Sequence, residues 1–287
     1  MRWLVTGANG MLGQDLLSAL AGAGHEAVGI DIEDLDITSP EAVPAYFEAN
    51  GPFDVVVNCA AWTAVDAAEE KEDVALVVNE TGPRLLAEAA AKSGARIVQI
   101  STDYVFDGSA TTPYAEDAPA SPVSAYGRTK WAGEEAVREA HPDGHLVVRT
   151  AWLYGAKGHC FPKTMVKYGR ERGALKVVDD QAGQPTWTVD VSRVVIDLVE
   201  KDAPAGTYHA TSSGQTTWFG FAKAIVESAG MDPAIVSPTD SASFPFPAPR
   251  PAYSVLGHDA LVTAGVPEIG DWAERWALAA ESVTSLE

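Results

Sequence analysis

A chain of 287 residues with 46% hydrophobic content has the material for a full core, laid out as one large domain or two modest ones. A formal charge of −20 argues against a nucleic-acid partner, because an acidic surface repels phosphate backbones, and an anionic substrate would need local cations gathered against that field. No apolar run approaches the ~20 residues of a membrane span, the N-terminus enters a strand-like run with no charged-then-apolar leader, and two distant cysteines, Cys59 and Cys160, exclude a cysteine metal or redox spacing, so a cytoplasmic protein with no membrane partner and no marked metal site is expected.

In chain order, Arg2–Thr6 reads as a first strand. It runs into Gly7-Ala8-Asn9-Gly10-Met11-Leu12-Gly13 and then into a helical pattern through Leu16, Leu17 and Leu20. Strand, glycine turn and helix in that order suit a dinucleotide. The glycines let the backbone turn tightly and approach a pyrophosphate, and the helix N-terminus offers free N–H groups. Gly7, Asn9, Gly10, Met11, Leu12 and Gly13 are therefore the first cofactor-binding candidates. Glu26–Asp31 is a second strand, and Asp31 at its end is placed to hold adenosine ribose hydroxyls. Glu33 and Asp34 follow with no adjacent arginine, which leans toward NADH over NADPH. Asp36 and Ile37 are candidates for the adenine edge.

Residues 53–61 form a continuous apolar run, expected as a third strand. Its end, Ala60 and Ala61, with Thr63 beyond it, is expected near the cofactor. A helical region runs through Gly82–Ser93. Arg96–Thr102 and His145–Tyr154 are the fourth and fifth strand-like runs, separated by a helix over residues 130–140. Buried runs alternating with helices specify an α/β chain whose parallel sheet is covered on both faces. Ligands of such sheets bind beyond the carboxyl ends of the strands. The basic stretch 157–172 contains a helix, 190–200 reads as another, 206–210 as a strand and 218–229 as a helix. The proline-rich segment 244–251 is expected as a rigid loop whose Arg250 points into a cleft between domains. His141 and His145 read as part of a turn, since Pro142 and Gly144 intervene.

The chemistry concentrates in Tyr126-Gly127-Arg128-Thr129-Lys130. Positions four apart share one helix face, so Tyr126 and Lys130 can act as an acid–base pair. A phenolate at neutral pH costs roughly 4 kcal/mol for a phenol of pKa near ~10. A neighbouring ammonium lowers that cost. Thr102, at the end of Ile100-Ser101-Thr102-Asp103-Tyr104-Val105-Phe106, can hold a substrate carbonyl oxygen or orient the tyrosine.

Glycine turn, Thr102 and Tyr126/Lys130 together resemble the extended short-chain dehydrogenase/reductase family. Asn58 to Asp66, Ser101 to Gly108, Arg149 to Tyr154 and Asp180-Gln181-Ala182-Gly183-Gln184-Pro185-Thr186 are similar to blocks of that family's dTDP-4-dehydrorhamnose reductases, and the similarity runs from about residue 2 to Ser254. The resemblance implies a Rossmann-type doubly wound parallel sheet with a smaller C-terminal substrate domain. It places the dinucleotide-binding domain at 1–152 with a returning segment at about 188–213, and the sugar-nucleotide part at 153–187 and 214–287. It implies NADH- or NADPH-dependent reduction of the C4 ketone of dTDP-4-dehydro-L-rhamnose. Tyr126 would donate the proton, Lys130 would bind the nicotinamide ribose, and Thr102 would bind the reacting carbonyl. Thr63, Val65, Asp103, Tyr104 and Trp152 would line the sugar pocket. Gln184, Thr186 and Arg250 would reach the nucleotide end, and Asn79, opening a helix after Val77-Val78, would make a backbone contact near the active site. Relatives often have asparagine where this chain has Cys160, a poorer hydrogen-bonder. Some members use Mg2+ at dimer contacts, although no residue pattern here marks a site for it, and either a monomer or a homodimer fits.

Dehydratases of the family usually carry an Asp-Glu pair after the threonine, because elimination needs an acid and a base. Here Asp103 is followed by Tyr104, which favours a reductase. The alternatives are a reductase of another nucleotide 4-keto-6-deoxysugar, or a non-catalytic regulator like the β subunit of methionine adenosyltransferase. Retention of Thr102, Tyr126 and Lys130 together speaks against the regulator.

Overall fold

Alternation of apolar runs with amphipathic stretches builds the first half of the chain. A computed structural model describes residues 1–285. It orders them as β1 (Arg2–Thr6), α1 (Met11–Gly22), β2 (Glu26–Ile30), α2 (Ala42–Asn50), β3 (Val55–Asn58), α3 (Val65–Glu70), α4 (Glu72–Leu76), a π-helical turn at Val77–Thr81, α5 (Gly82–Ser93), β4 (Arg96–Thr102), α6 (Ala125–Ala140) and β5 (His145–Thr150). Then follow β6 (Leu153–Tyr154), α7 (Phe161–Arg172), β7 (Leu175–Val178), β8 (Ala182–Gly183), β9 (Thr186–Trp187), α8 (Thr188–Glu200), β10 (Gly206–His209), β11 (Thr216–Thr217), α9 (Trp218–Ser228), β12 (Val236–Thr239), α10 (Asp259–Thr263) and α11 (Trp272–Thr284).

The main sheet has the order β10-β5-β4-β3-β1-β2. Each of its pairings is parallel. This is the doubly wound α/β arrangement read from the sequence. Successive side chains of a strand point to opposite faces. Trp3 and Val5 accordingly pack with Leu12, Leu16 and Leu20 of α1 and with Val191 and Val195 of α8. Leu4 and Val56 pack on the other face with Leu85 and Leu86 of α5 and with Phe47. From β1 the chain winds outward to β2, then crosses back to β3 and proceeds the other way. The β1/β3 boundary is therefore the switch point, where such sheets open a crevice for ligands.

Two expected strands are shorter than the apolar pattern suggests. The third ends at Asn58 rather than Ala61, because Cys59 and the residues after it leave the sheet for the crevice loop. The fifth stops at Thr150, because Trp152 takes a left-handed backbone (φ 47°) that no strand accommodates. Extension resumes in β6, which pairs with β9. Beyond that break a third apolar cluster gathers Tyr154, Val166, Phe221, Ile225 and Trp276 from β6, α7, α9 and α11.

Helix α6 starts five residues before the expected 130, capped by Ser124, whose hydroxyl accepts from Gly127 N at 3.1 Å. Two glycines let its backbone lie against other backbone. A Cβ at Gly127 would run into the Tyr104 carbonyl oxygen, and one at Gly133 into that of Asn79. Next to Gly133, the fully buried Glu134 accepts from Arg149 Nε at 2.9 Å and Nη2 at 2.8 Å, and from Ser101 Oγ at 2.6 Å. One carboxylate so ties α6 to both β5 and β4.

Replacing Gly133 by alanine forces backbone against backbone, a case of overpacking that typically costs about 1–3 kcal/mol. Gly22→Ala, where an added Cβ meets nothing within 4 Å, should leave stability unchanged or raise it by about 0.5 kcal/mol. Urea unfolding of both variants checks the contrast. Equal midpoints would refute the close approach.

Candidate active site at the carboxyl end of the sheet

The glycine turn between β1 and α1 floors one end of the crevice. Gly7 sits at φ 64°, and a Cβ there would come within 2.7 Å of Ala60 N. A Cβ at Gly13 would strike the Gly7 carbonyl oxygen. Gly10 caps α1 without a side chain, and the helix has no acidic residue in its first turn. Its leading N–H groups thus have no side-chain acceptor and suit a pyrophosphate. Asp31 accepts from Asn9 N at 3.0 Å and from Ile32 N at 2.9 Å, so it braces the turn while facing the crevice. Asp36 accepts from the Thr38 amide and hydroxyl, which hold its carboxyl below the usual range. The bare glycine cradle and the acid at the end of β2 fit a dinucleotide.

The crevice continues from this cradle as one cavity of about 1280 Å³. The glycine-turn residues Gly7, Asn9, Gly10, Met11, Leu12 and Gly13 line it, with Asp31, Asp36 and Ile37 at the same end. The loop after β3 contributes Ala60, Ala61, Thr63 and Val65. Thr102, Asp103 and Tyr104 enter from the end of β4, Tyr126 and Lys130 from α6, and Trp152 from the break after β5.

Within it, Lys130 donates from Nζ to the Ile100 carbonyl at 2.7 Å. Burial pushes its ammonium pKa down to about 8, with Glu134 and Cys59 opposing the shift. Burial also raises the Tyr126 phenol above its ordinary value; the Thr102 hydroxyl counters this and Asp103 adds to it. Thr102 Oγ1 donates to Asp103 Oδ1 at 2.9 Å and accepts from Tyr104 N at 3.2 Å. Asp103 is 2% exposed. Burial pushes its carboxyl up to about 6, opposed by the Ser254 and Thr102 hydroxyls. The Tyr104 and Tyr126 rings meet edge to face at 5.5 Å. Burial pushes the Cys59 thiol up to about 12, with the Lys130 ammonium opposing the shift, which disfavours its thiolate.

Four expected contacts do not line the cavity. Asn79 is 1% exposed in the π-turn; its amide accepts from Trp62 N and donates to Trp62 O and Thr129 Oγ1, so it anchors the crevice loop to α6. Gln184 is spent likewise, accepting from Leu256 N and Thr211 Oγ1 and donating to Leu256 O. Thr186 donates to Gln184 O and accepts from Ser212 N. Arg250, rather than pointing into the cleft, pairs with Asp66 at 2.8 Å and lies over the Phe246 ring. Cys160 caps α7 with its thiol toward the Gly155 carbonyl, also away from the cavity. The expected gathering of cations is not found: among the described residues lining the cavity, Lys130 is the one lysine or arginine. Nor do three or more His, Cys, Asp or Glu side chains cluster as metal ligands among the described residues.

Several lining residues escape sequence reasoning, among them Asp73, Val74, His159 and Trp218. Trp218, first in α9, stacks on Trp152 with ring centroids 3.7 Å apart and planes 10° apart, while Phe161 packs edge-on against it at 4.6 Å. A Cβ at Gly183 would collide with the Trp152 ring, so that glycine makes room for it. No spacing between positions 152 and 218 signals the stack.

Comparison with known proteins places this geometry. The model of the RmlD substrate binding domain matches residues 1–285. A dTDP-4-keto-6-deoxy-D-glucose reductase of Streptomyces niveus is 48% identical, over 94% of this chain and 93% of that protein. A dTDP-4-dehydrorhamnose reductase of Streptomyces griseus is 47% identical, over 94% and 90%. Among solved structures, a dTDP-4-dehydrorhamnose reductase from Bacillus anthracis in complex with NADP superposes with a TM-score of 0.92 at 38% identity, covering 97% of this chain and 98% of that one.

Gln184→Ala separates a structural from a nucleotide-binding role. It strands the buried Leu256 amide and carbonyl and removes a bond from Thr211, and stability should fall by about 2–4 kcal/mol, while affinity of the folded variant for dTDP stays within about twofold of the original. Denaturant unfolding and calorimetric titration check the pair. An affinity loss at unchanged stability would restore the nucleotide contact.

Proposed function

Because the chain belongs to the family of the RmlD substrate binding domain, we propose that it reduces the C4 ketone of dTDP-4-dehydro-L-rhamnose to give dTDP-L-rhamnose, using NADH or NADPH. The observation that carries this reading is one cavity in which a glycine cradle for a dinucleotide runs into Thr102, Tyr126 and Lys130. The reductase names of the relatives from Streptomyces griseus and Bacillus anthracis support the substrate.

The nicotinamide, when bound, supplies the hydride. The chain's own residues supply position and a proton. Tyr126 is held as the neutral phenol by burial, the form a reduction needs, and gives its proton to the ketone oxygen. Thr102 holds that oxygen with its hydroxyl, at the cost of its bond to Asp103. Lys130, one helical turn from Tyr126, offsets the phenolate charge left behind. Trp152, stacked on Trp218, walls the sugar. The acids Asp31 and Asp34 at the ribose end favour NADH over a 2′-phosphate, although the Bacillus anthracis relative holds NADP. No helix is long and apolar enough to cross a membrane among the described residues. The same reading has the enzyme working in the cytoplasm as a monomer or homodimer, with residues 153–187 and 214–287 holding the sugar nucleotide.

A second substrate has an observation in its favour. The Streptomyces niveus relative is named for dTDP-4-keto-6-deoxy-D-glucose, and the chemistry at C4 is the same. Following NADH and NADPH absorbance on adding each 4-keto sugar tests both. Oxidation with dTDP-4-dehydrorhamnose supports the first reading, oxidation with the glucose-derived sugar alone supports the second, and none with either refutes both.

Tyr126→Phe should lower turnover at least ~100-fold, the scale of a lost general acid, with cofactor affinity kept; a Phe variant turning over normally would refute the assignment. Turnover should also fall as pH rises through about 8, where Lys130 loses its proton. A flat profile from pH 7 to 9.5 would remove Lys130 from the chemistry.

A further inference from the structure

Trp152 holds a backbone that a bulky residue adopts only under constraint. Its φ of 47° lies in the left-handed region, and strain of this kind persists only where the surrounding contacts over-determine it. Here those contacts fall on its ring. One face stacks on Trp218 at 3.7 Å with the planes 10° apart. The edge fits a slot left by Gly183, where an added Cβ would strike the indole atoms Cε2, Cζ2 and Nε1. Both halves of the grip come from one small sheet: β8 pairs antiparallel with β11, Gly183 stands opposite Thr216, and Trp218 follows directly on β11. Trp218 is itself fixed from behind. Phe161 packs edge-on against it at 4.6 Å. Thr217 beside it caps α9, accepting from Gly220 N at 3.1 Å and donating to Asp179. The Trp152 ring therefore has a set tilt, and it lines the same cavity as Tyr126 and Lys130.

A ketone carbon has two faces. Hydride joining one face gives one configuration at C4, and hydride joining the other gives its epimer. In both cases the proton of Tyr126 goes to the oxygen, so atoms and charges balance alike and only the geometry differs. The places of the two reagents are set by backbone: the glycine cradle seats the cofactor, and α6 seats Tyr126. What is left to decide the outcome is which way up the sugar lies, and that is a matter for the wall it lies against. We propose, on the reductase reading, that Trp218 is the positioning residue that sets the tilt of Trp152 and so selects the face of the C4 ketone that meets the hydride. The device is a flat ring held at one angle, with no added bond to the sugar. Misplacing reacting atoms by ~1 Å costs on the order of 10²-fold in rate, so a wall held to that tolerance separates the two faces.

Two variants act on the Trp152 ring from outside the cavity, since neither Gly183 nor Phe161 is among the described residues that line it. Gly183→Ala drives the ring from its slot, and Phe161→Leu takes the backing from Trp218. Trp218→Leu removes the stack itself, and Trp218→Phe keeps a ring in its place. Each is given whichever of the two 4-keto sugars the unaltered chain reduces, and the C4 configuration of the product is read by NMR. The unaltered chain should yield one epimer. In Trp218→Leu and Gly183→Ala the ratio of that epimer to the other should fall at least ~10-fold, the scale of discrimination a single pocket contact supplies. Phe161→Leu should shift the ratio the same way, Trp218→Phe should restore most of it, and titrated NADH affinity should not change in any of them. One epimer from every variant, at whatever rate, overturns the proposal, as does a mixture from the unaltered chain. Mixing in Trp218→Leu without mixing in the two outer variants would make Trp218 a direct sugar contact and also overturns it. Should Gly183→Ala fail to fold, Phe161→Leu decides. An unaltered chain that oxidises no cofactor on either sugar marks failure of the reductase reading itself, and the proposal falls with it.

Discussion

Backbone-to-backbone contact of helix α6 is the constraint on which the site depends. Gly127 lies on the carbonyl of Tyr104 and Gly133 on that of Asn79, leaving no room for a side chain at either place. Tyr126 precedes one glycine and Lys130 stands between the two, so both groups inherit a position set by main chain. The buried Glu134, gripped by Arg149 and Ser101, fixes the helix against sliding along the sheet. Removing the Glu134 carboxylate would leave the buried Arg149 guanidinium without its counter-charge, which is why such pairs are costly to break singly. Asn79 completes the arrangement by pinning the crevice loop to Thr129 of the same helix.

The electrostatics follow from that burial. The chain carries a net −20, yet the cavity is not answered with a ring of cations. Arginines that could have served are employed elsewhere: Arg149 on Glu134, Arg275 on Asp190 and Arg250 on Asp66. The open N-terminus of α1 and its glycine turn offer fixed dipoles that suit a phosphate without mobile charge. Lys130 and Asp103 are pulled toward neutrality from opposite directions by the same desolvation.

Much of this was legible in the residues. Strand, glycine turn and helix at the N-terminus, the acid ending β2 and the Tyr126/Lys130 spacing are local patterns, and each lands where local geometry puts it. What could not be read depends on contacts between distant segments. Gln184, Thr186 and Asn79 look like ligand contacts because they are polar residues in distinctive blocks, but folding spends their hydrogen bonds on Leu256, Thr211, Ser212, Trp62 and Thr129. Arg250 finds Asp66 across a long stretch of chain. The left-handed turn at Trp152, which ends β5 early, is invisible in an apolar run because the cause lies at Gly183 and Trp218.

The two sides of the crevice therefore have different capacities for change. The side bearing Tyr126 and Lys130 is backbone laid on backbone, and it admits no gradual alteration. The side bearing Trp152 is a pile of rings, Trp218 and Phe161 behind it and a glycine beneath it. Rings can be exchanged, trimmed or re-tilted one at a time without disturbing the helix opposite. On the proposed function, a change of sugar would be met by remodelling that single wall, while the hydride and proton chemistry opposite would pass on unaltered.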